Sequence, residues 1–302
     1  RQIKNMKAKN KAIAVYLDNN DKNEIELSWL YKTWIFNSLN DDFDLVVYYN
    51  PDAKHRLEKF LGVRSIPMTP IRKSSDYPFL NSHYFCLEPY NSTLKEYDYI
   101  MKTDCDVFLT KNLKGYVPSE KMLVGHGGYY SAVNNDTVLG WMKDDLIPSL
   151  NKKMNYRWEH RNITLVGASF FGKAKWVINT VNDQAILTEE ILEHFGDRKI
   201  IGPSISRGIS SMLAGEIVIN TRYTNQQLLL WALDSVCWED KAISSDVLHI
   251  HAWHTDKKWS KHSFFNGDYN NWIVDDKDIM SNRANYCQWI ASSSIEDIIR
   301  KK

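Results

Sequence analysis

The chain has 302 residues, enough for one large α/β domain or two small ones with a substantial core. A formal net charge of +1 provides no basic face for a phosphate backbone and excludes nucleic acid as the main partner. No run approaches the roughly 18 apolar residues that cross a bilayer, so no membrane span is expected, while 11 Trp and 16 Tyr suit grooves on which sugar rings and nucleobases stack.

Cys86, Cys105, Cys237 and Cys287 are widely spaced, without a C-x-x-C pair, and indicate neither a zinc knuckle nor a disulfide framework. Residues 1–10 read as a basic, polar tail. Because the chain begins with Arg1 rather than Met, it is expected to be trimmed from something longer, from which an anchor or a neighbouring domain could have been removed. Sequons at Asn91, Asn135 and Asn162 would be glycosylation acceptors in a secretory lumen, although such triplets are frequent by chance.

Ala12 to Leu17 is a short apolar run between charges, the pattern of a buried parallel strand. Leu27, Leu30, Tyr31, Trp34 and Ile35 then recur at helical spacing and predict one apolar stripe. Phe43 to Tyr49 reads as a second strand, and Pro51 to Leu61 as a second helix closed by Gly62. Strand, helix, strand, helix is the signature of a parallel sheet wrapped by helices, whose ligands bind beyond the carboxyl ends of the strands. Pro67, Pro70 and Pro78 mark residues 64–80 as a surface loop. From Tyr97 to Leu109 an apolar run stops at Asp104-Cys105-Asp106 and then resumes, which reads as a buried strand ending in a cation site, and Met122 to Gly125 predicts another strand. Gly125 to Tyr130 reads as a glycine-rich turn that lets the backbone approach a ligand. Thr137 to Met154 reads as an outer helix. Ile163 to Gly172 reads as a strand with small residues at its centre, either a plain core strand or one over which a substrate lies close. Lys175 to Phe195 follows as a helix, Ile217 to Asn220 as a short strand, and Thr224 to Ala232 as helical. No repeat, low-complexity run or linker divides the chain, so residues 1–302 are read as one domain with 262–302 as a C-terminal extension.

Alternation along a strand turns Asp104 and Asp106 to the same side and Cys105 into the body. Two hard carboxylate oxygens aimed together suit Mn²⁺ or Mg²⁺, although the same triplet also occurs in solvated turns. Val247 to Trp259 places three of the nine histidines, His249, His251 and His254, beside Lys257, Lys258 and Trp259. Imidazole is a common ligand of transition metals, and in a strand over 247–251 His249 and His251 share a side. Asp183 and Gln184 lie in an apolar setting, where such groups are seldom buried unless paired. A cation, an imidazole, an ammonium and an aromatic ring are what a nucleoside-diphosphate leaving group needs. Breaking the bond from anomeric carbon to phosphate oxygen leaves negative charge on the diphosphate as an oxocarbenium-like sugar forms.

These motifs resemble the GT-A fold of nucleotide-sugar-dependent glycosyltransferases, a Rossmann-like α/β fold with a mixed, mostly parallel central sheet flanked by helices. Within it the chain is most similar to the retaining group that includes glycogenin and the bacterial lipopolysaccharide galactosyltransferases, whose late motif is H-x-x-G-x-x-K-P-W. His251 to Trp259 keeps the His, Lys and Trp of that motif at the same spacing, with His254 in place of the Gly and Lys258 in place of the Pro. The resemblance implies Asp104, Asp106 and His251 as metal ligands, with His249 or His254 as alternatives to the last, and Lys257 as the diphosphate contact. Asp183 and Gln184 resemble the Asp-Gln pair beside the reacting sugar. Gly167 and Ala168 resemble the small-residue strand under the donor sugar, and Tyr16, Asp18 and Asn20 the first-strand loop that meets the base. The arginine expected ahead of the Asp pair is missing, with Ser82-His83-Tyr84 roughly in its place. Gly208 to Met212 and the His-rich segment also resemble uncharacterised glycosyltransferase-like proteins of algae and large viruses. The resemblance further implies a Mn²⁺ or Mg²⁺ cofactor, a UDP-sugar ahead of a GDP-sugar as donor, and a glycan or protein-glycan acceptor. The location is left open between the Golgi lumen and the cytoplasm, that of a virus-infected host included.

Three other readings stay open. An inverting glycosyltransferase needs a general base at the acceptor hydroxyl, for which Asp183 or Glu216 is available. A metal hydrolase would use His249, His251 and His254 without Asp104. A non-catalytic carbohydrate-binding protein would use the aromatic residues alone.

Overall fold

In a computed structural model, the described residues are 9–71, 77–127, 135–150, 155–156, 165–224, 227–230, 232–237, 241–252 and 258–302. β1 (Lys11–Leu17) is buried along its whole length. α1 (Asp21–Phe36) starts where the Asn20 side chain accepts the amide of Asn23, with Asp21 and Glu24 in the first turn complementing the helix dipole. The predicted stripe of Leu27, Leu30, Tyr31 and Trp34 packs on the sheet, but Trp29, Lys32 and Thr33 are buried as well. α1 is therefore covered on two sides, which a single apolar stripe does not announce.

β2 (Asp44–Tyr49) follows. The second helix expected over Pro51 to Leu61 is instead a 3₁₀ turn at Pro51–Leu57, within which only Ala53 and Leu57 are buried, too few for an apolar helical stripe; Gly62, at φ 81°, ends the passage. β3 (Arg64–Pro67) corrects the loop expected there. It is a mostly exposed strand at the sheet edge, where proline's missing N–H is tolerated and hydrophobic alternation is not needed. α2 (Asn81–Tyr84) is a single turn. The strand expected to end at the Asp pair is β4 (Tyr99–Lys102), and the apolar run that resumes after it is β5 (Val107–Leu109), which belongs to a different sheet.

β6 (Met122–His126) leads to α3 (Asn135–Trp141), a π-helical turn (Met142–Leu146) and α4 (Ile147–Leu150), which together make up the expected outer helix. The rest of that expectation, at 151–154, lies outside the described residues, as do 128–130 and 163–164. β7 (Val166–Lys173) and α5 (Ala174–Phe195) match the sequence reading. β8 (Ile200–Gly202) and β9 (Ile205–Ser206) form a small hairpin.

α6 (Ser210–Arg222) absorbs Ile217 to Asn220, read from sequence as a strand. All four of these residues are buried, so a short apolar run there carries no helical period. Residues 224–232, read as helical, contain β10 (Leu228–Leu230), parallel to β6. β11 (Ser235–Val236) and β12 (His249–His251) join β5 in the second sheet. α7 (Lys261–Phe265), α8 (Arg283–Ser292) and α9 (Ile295–Lys301) complete the chain.

The main sheet has seven strands in the order β10-β6-β7-β4-β1-β2-β3. β7 pairs antiparallel with both β4 and β6, while the other pairings are parallel. Alternate residues load opposite faces: Ala12, Ala14, Val46, Ile100 and Phe170 pack toward α2 and α5, and Ile13, Val15, Val47, Met101 and Phe171 toward α1. Residues 262–302 pack onto the free side of α1. Trp29 stacks on Phe108 at 5.3 Å, and the Tyr286 hydroxyl donates to the Leu109 carbonyl at 2.6 Å, inside a cluster with Trp259 and Ile290. Lys32 donates to the Ala291 and Ser293 carbonyls at 3.2 and 2.9 Å, satisfying the C-terminal end of α8. Among the described residues, no helix is long and apolar enough to cross a membrane. The sequon residue Asn91 is buried, its amide nitrogen donating to the Cys86 carbonyl at 3.0 Å.

Candidate metal centre

The carboxyl ends of β1 and β4 lie side by side, and the chain leaving β4 forms the site. Thr103 donates its N–H to the Ala14 carbonyl at 3.1 Å, and its hydroxyl meets that of Ser169 at 2.8 Å. The chain then bends rather than continuing as a strand. Cys105 still points into the body, its thiol donating to the Tyr16 carbonyl at 3.1 Å. Asp106 is carried beside His251 by the antiparallel register that pairs Val107 with His251 and by the N–H of Ala252, which donates to the Asp106 carbonyl at 2.8 Å. Convergence of the two aspartates thus comes from a turn between two sheets, not from alternation along one strand.

Asp104, Asp106 and His251 each offer a ligand atom, all within 4.8 Å of one another. His251 Nε2 is 3.2 Å from Asp106 Oδ1, and its Nδ1 is 3.3 Å from Asp234 Oδ1. A carboxylate behind the far nitrogen of a metal-binding imidazole fixes its tautomer and orientation, so this pair suits a cation held by Nε2 and two carboxylates. Carboxylate oxygens suit Mg²⁺ and Mn²⁺ and imidazole suits Zn²⁺ and Fe²⁺, so the mixed set is chemically fit for a divalent cation. His249 shares that side of β12, as expected, but its Nδ1 accepts the N–H of Asp234 at 3.2 Å, and it stands behind the site. His254 lies outside the described residues.

Asp234 has no motif around it, and sequence reasoning missed it. It sits at φ 55° just before β11, fully enclosed, its carboxylate accepting the Ser169 N–H at 3.0 Å and the Ser169 hydroxyl at 2.7 Å. Room for it comes from two glycines on neighbouring strands. A Cβ on Gly125 would lie 1.7 Å from Asp234 Oδ2, and one on Gly167 would lie 2.1 Å away.

Two ammonium groups complete the cluster. Lys102, wholly buried, reaches Asp104 Oδ1 at 3.3 Å and the Ala168 carbonyl at 2.9 Å. Lys261, at the first position of α7, reaches Asp106 Oδ2 at 2.5 Å and Glu26 Oε1 at 3.1 Å. A lysine inside the apolar run of β4 was a legible signal for the first, whereas nothing in sequence marked the second. Lys257, expected at the diphosphate, lies outside the described residues. Trp259, the aromatic member of the motif, is fully buried in the α1–α8 core, its indole N–H donating to Gln288 at 3.1 Å, so it presents no face to a ligand.

These charges set one another's protonation. Burial alone would lower the His251 pKa, but Asp106 and Asp234 outweigh it and raise it well above the usual imidazole value. Burial opposes ionisation of Asp106, yet Lys261 and His251 hold its carboxyl far below the usual range. Asp234 is likewise drawn down to about 2, against burial, by His251, His249 and Ser169. Burial pushes His249 down to about 4. His126, at the end of β6, is lowered by burial against the pull of Asp234.

The remaining expected residues fall in two places. Tyr16, Asp18 and Asn20 lie at the end of β1, on the same edge as the cluster. The Tyr16 hydroxyl is buried without a partner among the described residues, Asp18 accepts from Asn19 and Asn50, and Asn20 caps α1. Gly167 and Ala168 line the site through Asp234 and Lys102. Asp183 and Gln184 are not brought into the cluster. Asp183 is ion-paired with Arg222, and Gln184 donates to the Ser211 carbonyl at 2.7 Å, both between α5 and α6. Glu216 is fully buried there, accepting the Leu165 N–H at 3.0 Å.

An α/β sheet with a carboxylate–imidazole cluster at its strand ends defines a protein with a candidate divalent-cation site. The chain belongs to the family described as a domain of unknown function (DUF7164), matched over residues 63–299. That span contains Lys102, Asp104, Asp106, Asp234, His251 and Lys261, and leaves out β1 and α1. No curated protein matches the chain.

Proposed function

We propose that the protein is a metal-dependent glycosyltransferase of GT-A type, moving a sugar from a nucleoside-diphosphate donor to a glycan or protein-glycan acceptor with retention. The observation that carries this reading is the meeting of Asp104, Asp106 and His251 at the carboxyl edge of a mostly parallel sheet, with Asp234 aligned behind the imidazole. The mixed sheet, in which β7 alone runs against its neighbours, supports the same fold. Tyr16, whose buried hydroxyl has no hydrogen-bond partner among the described residues, supports, with Asp18, a nucleoside pocket at the end of β1.

A divalent cation on these three residues supplies Lewis acidity to a departing diphosphate. The chain does the rest. Asp234 keeps a proton on His251 Nδ1 and so leaves the Nε2 lone pair for a cation, while the Lys102 ammonium, anchored on the Ala168 carbonyl, restrains Asp104. The recess at Gly167 is taken up by the Asp234 carboxylate, so this small-residue stretch serves the cluster by seating Asp234 and by offering the Ala168 carbonyl to Lys102. Asp183 and Glu216 are engaged in α5–α6 packing, which weakens the inverting alternative. Asp104 in the cluster and His249 turned to Asp234 weaken the histidine-only hydrolase.

Calorimetric titration with UDP- and GDP-sugars, with and without Mn²⁺, tests the reading. Mn²⁺-dependent binding of a donor is expected, followed by transfer or slow hydrolysis with retained anomeric configuration by NMR. Failure to bind or turn over any member of a broad panel sinks it.

A further inference from the structure

The end of β1 and the metal cluster are joined by one continuous line of hydrogen bonds. The N–H of Asp18 donates to Asn23 Oδ1 at 2.7 Å, and Asn23 Nδ2 donates to Glu26 Oε2 at 3.2 Å. The other oxygen of Glu26 is 3.1 Å from Lys261 Nζ, which also donates to Asp106 Oδ2 at 2.5 Å. Side-chain exposure of Glu26, Asp106 and Lys261 is only 10–13%, so these ions answer to one another more than to water. Ser260 caps α7, its hydroxyl accepting the Ser263 N–H at 3.1 Å, and fixes the Lys261 backbone, leaving its side chain as the part that can move.

Lys261 and a divalent cation compete for the same carboxylate. A cation seated on Asp106 repels the ammonium, which Glu26 still holds at the rim of the site. The anion that the proposed complex would add is the donor diphosphate. Lys102 cannot play this part, because it is enclosed completely and tied to the Ala168 carbonyl.

We propose that Lys261 is a transferable counter-charge: it neutralises Asp106 before the metal arrives and then passes to a phosphate oxygen of the nucleoside diphosphate, with Glu26 and Asn23 keeping it in range. Metal and diphosphate thereby bind cooperatively, and the loop after β1 is coupled to the metal through α1. This rests on the metal reading of Asp104, Asp106 and His251.

The test is a pair of titrations on the whole chain, Mn²⁺ alone by electron paramagnetic resonance and UDP by calorimetry on the Mn²⁺-saturated protein. Removing the ammonium with Lys261→Met should tighten Mn²⁺ alone by about tenfold and weaken UDP by about tenfold or more, because the competitor for Asp106 and the partner for phosphate are one group. A lysine that only supports packing would weaken both together. Should Lys261→Met fail to fold, Lys261→Gln keeps hydrogen-bond donors without the charge and carries the same pair of opposite expectations. The proposal is overturned if Mn²⁺ binds the wild type, is lost in Asp104→Asn, and is neither tightened by Lys261→Met nor by Lys261→Gln. A wild type that melts cooperatively but binds no Mn²⁺ instead overturns the metal reading, and the inference with it.

Discussion

Two groups of buried charge flank β7, and they differ in what they face. On the side of Gly167 and Ser169, the side chains of Asp106, Asp234, His251, Lys261 and Glu26 converge from five separate parts of the chain on one point. On the side of Val166, Asp183 is ion-paired with Arg222 and Gln184 binds the Ser211 carbonyl, all within one helix pair. Both groups have the burial and shifted acidity that often mark functional sites, for burial raises the Asp183 pKa against the pull of Arg222. The difference is convergence. The first group presents ligand atoms of like chemistry to a shared centre, whereas the second satisfies a helix interface.

Breaking the first group should cost function most. Asp106→Asn should abolish Mn²⁺-dependent donor binding, by more than about 100-fold in calorimetry, and should destabilise the fold by about 3–5 kcal/mol through the buried cations left behind. Asp234→Asn removes the orienting carboxylate together with one of the two acceptors that Ser169 uses, and a loss of about 10–100-fold in Mn²⁺ affinity is expected. Arg222→Met attacks the second group. Because Arg222 is 35% exposed, solvent screening limits the cost to about 1–2 kcal/mol by chemical denaturation, with Mn²⁺ affinity unchanged. If Arg222→Met weakens the metal as much as Asp234→Asn does, the distinction between the groups is wrong.

A separate effect concerns pH. His249 is held neutral by burial, down to about 4 from 6.5, so the unfolded chain takes up a proton that the folded one refuses. Its contribution to stability is whole above about 6.5 and declines as the pH falls toward about 4. His249→Asn, which keeps an acceptor for the Asp234 N–H, should flatten that part of the stability profile measured by urea titration at several pH values.

The strands that bury both faces, β1, β2 and β7, were legible because continuous apolar runs have few other uses, and α1 and α5 because their period is long. Where the period was short, tertiary context decided: Ile217 to Asn220 became helix and Leu228 to Leu230 strand. Of the site, Asp104, Asp106 and His251 were readable as a motif, although the local geometry expected for them was wrong. Asp234, Lys261 and Glu26 were not readable, since each is an ordinary residue in its own segment and acquires its role only from residues far away in the chain. Trp259 shows the converse: its place in a motif suggested a ligand contact, and its surroundings make it core.

The space that Asp234 occupies belongs to two residues that have no side chains of their own. With Gly125 and Gly167 on paired strands, the carboxylate fills a recess that any methyl group at either position would close. The three positions are therefore sterically coupled. Within this family, a larger residue at 125 or 167 should be accompanied by the loss of the acid at 234. Members that keep both glycines and the acid are those expected to retain an oriented imidazole at position 251, so two glycines and an aspartate report on the chemistry of a histidine they precede in the chain.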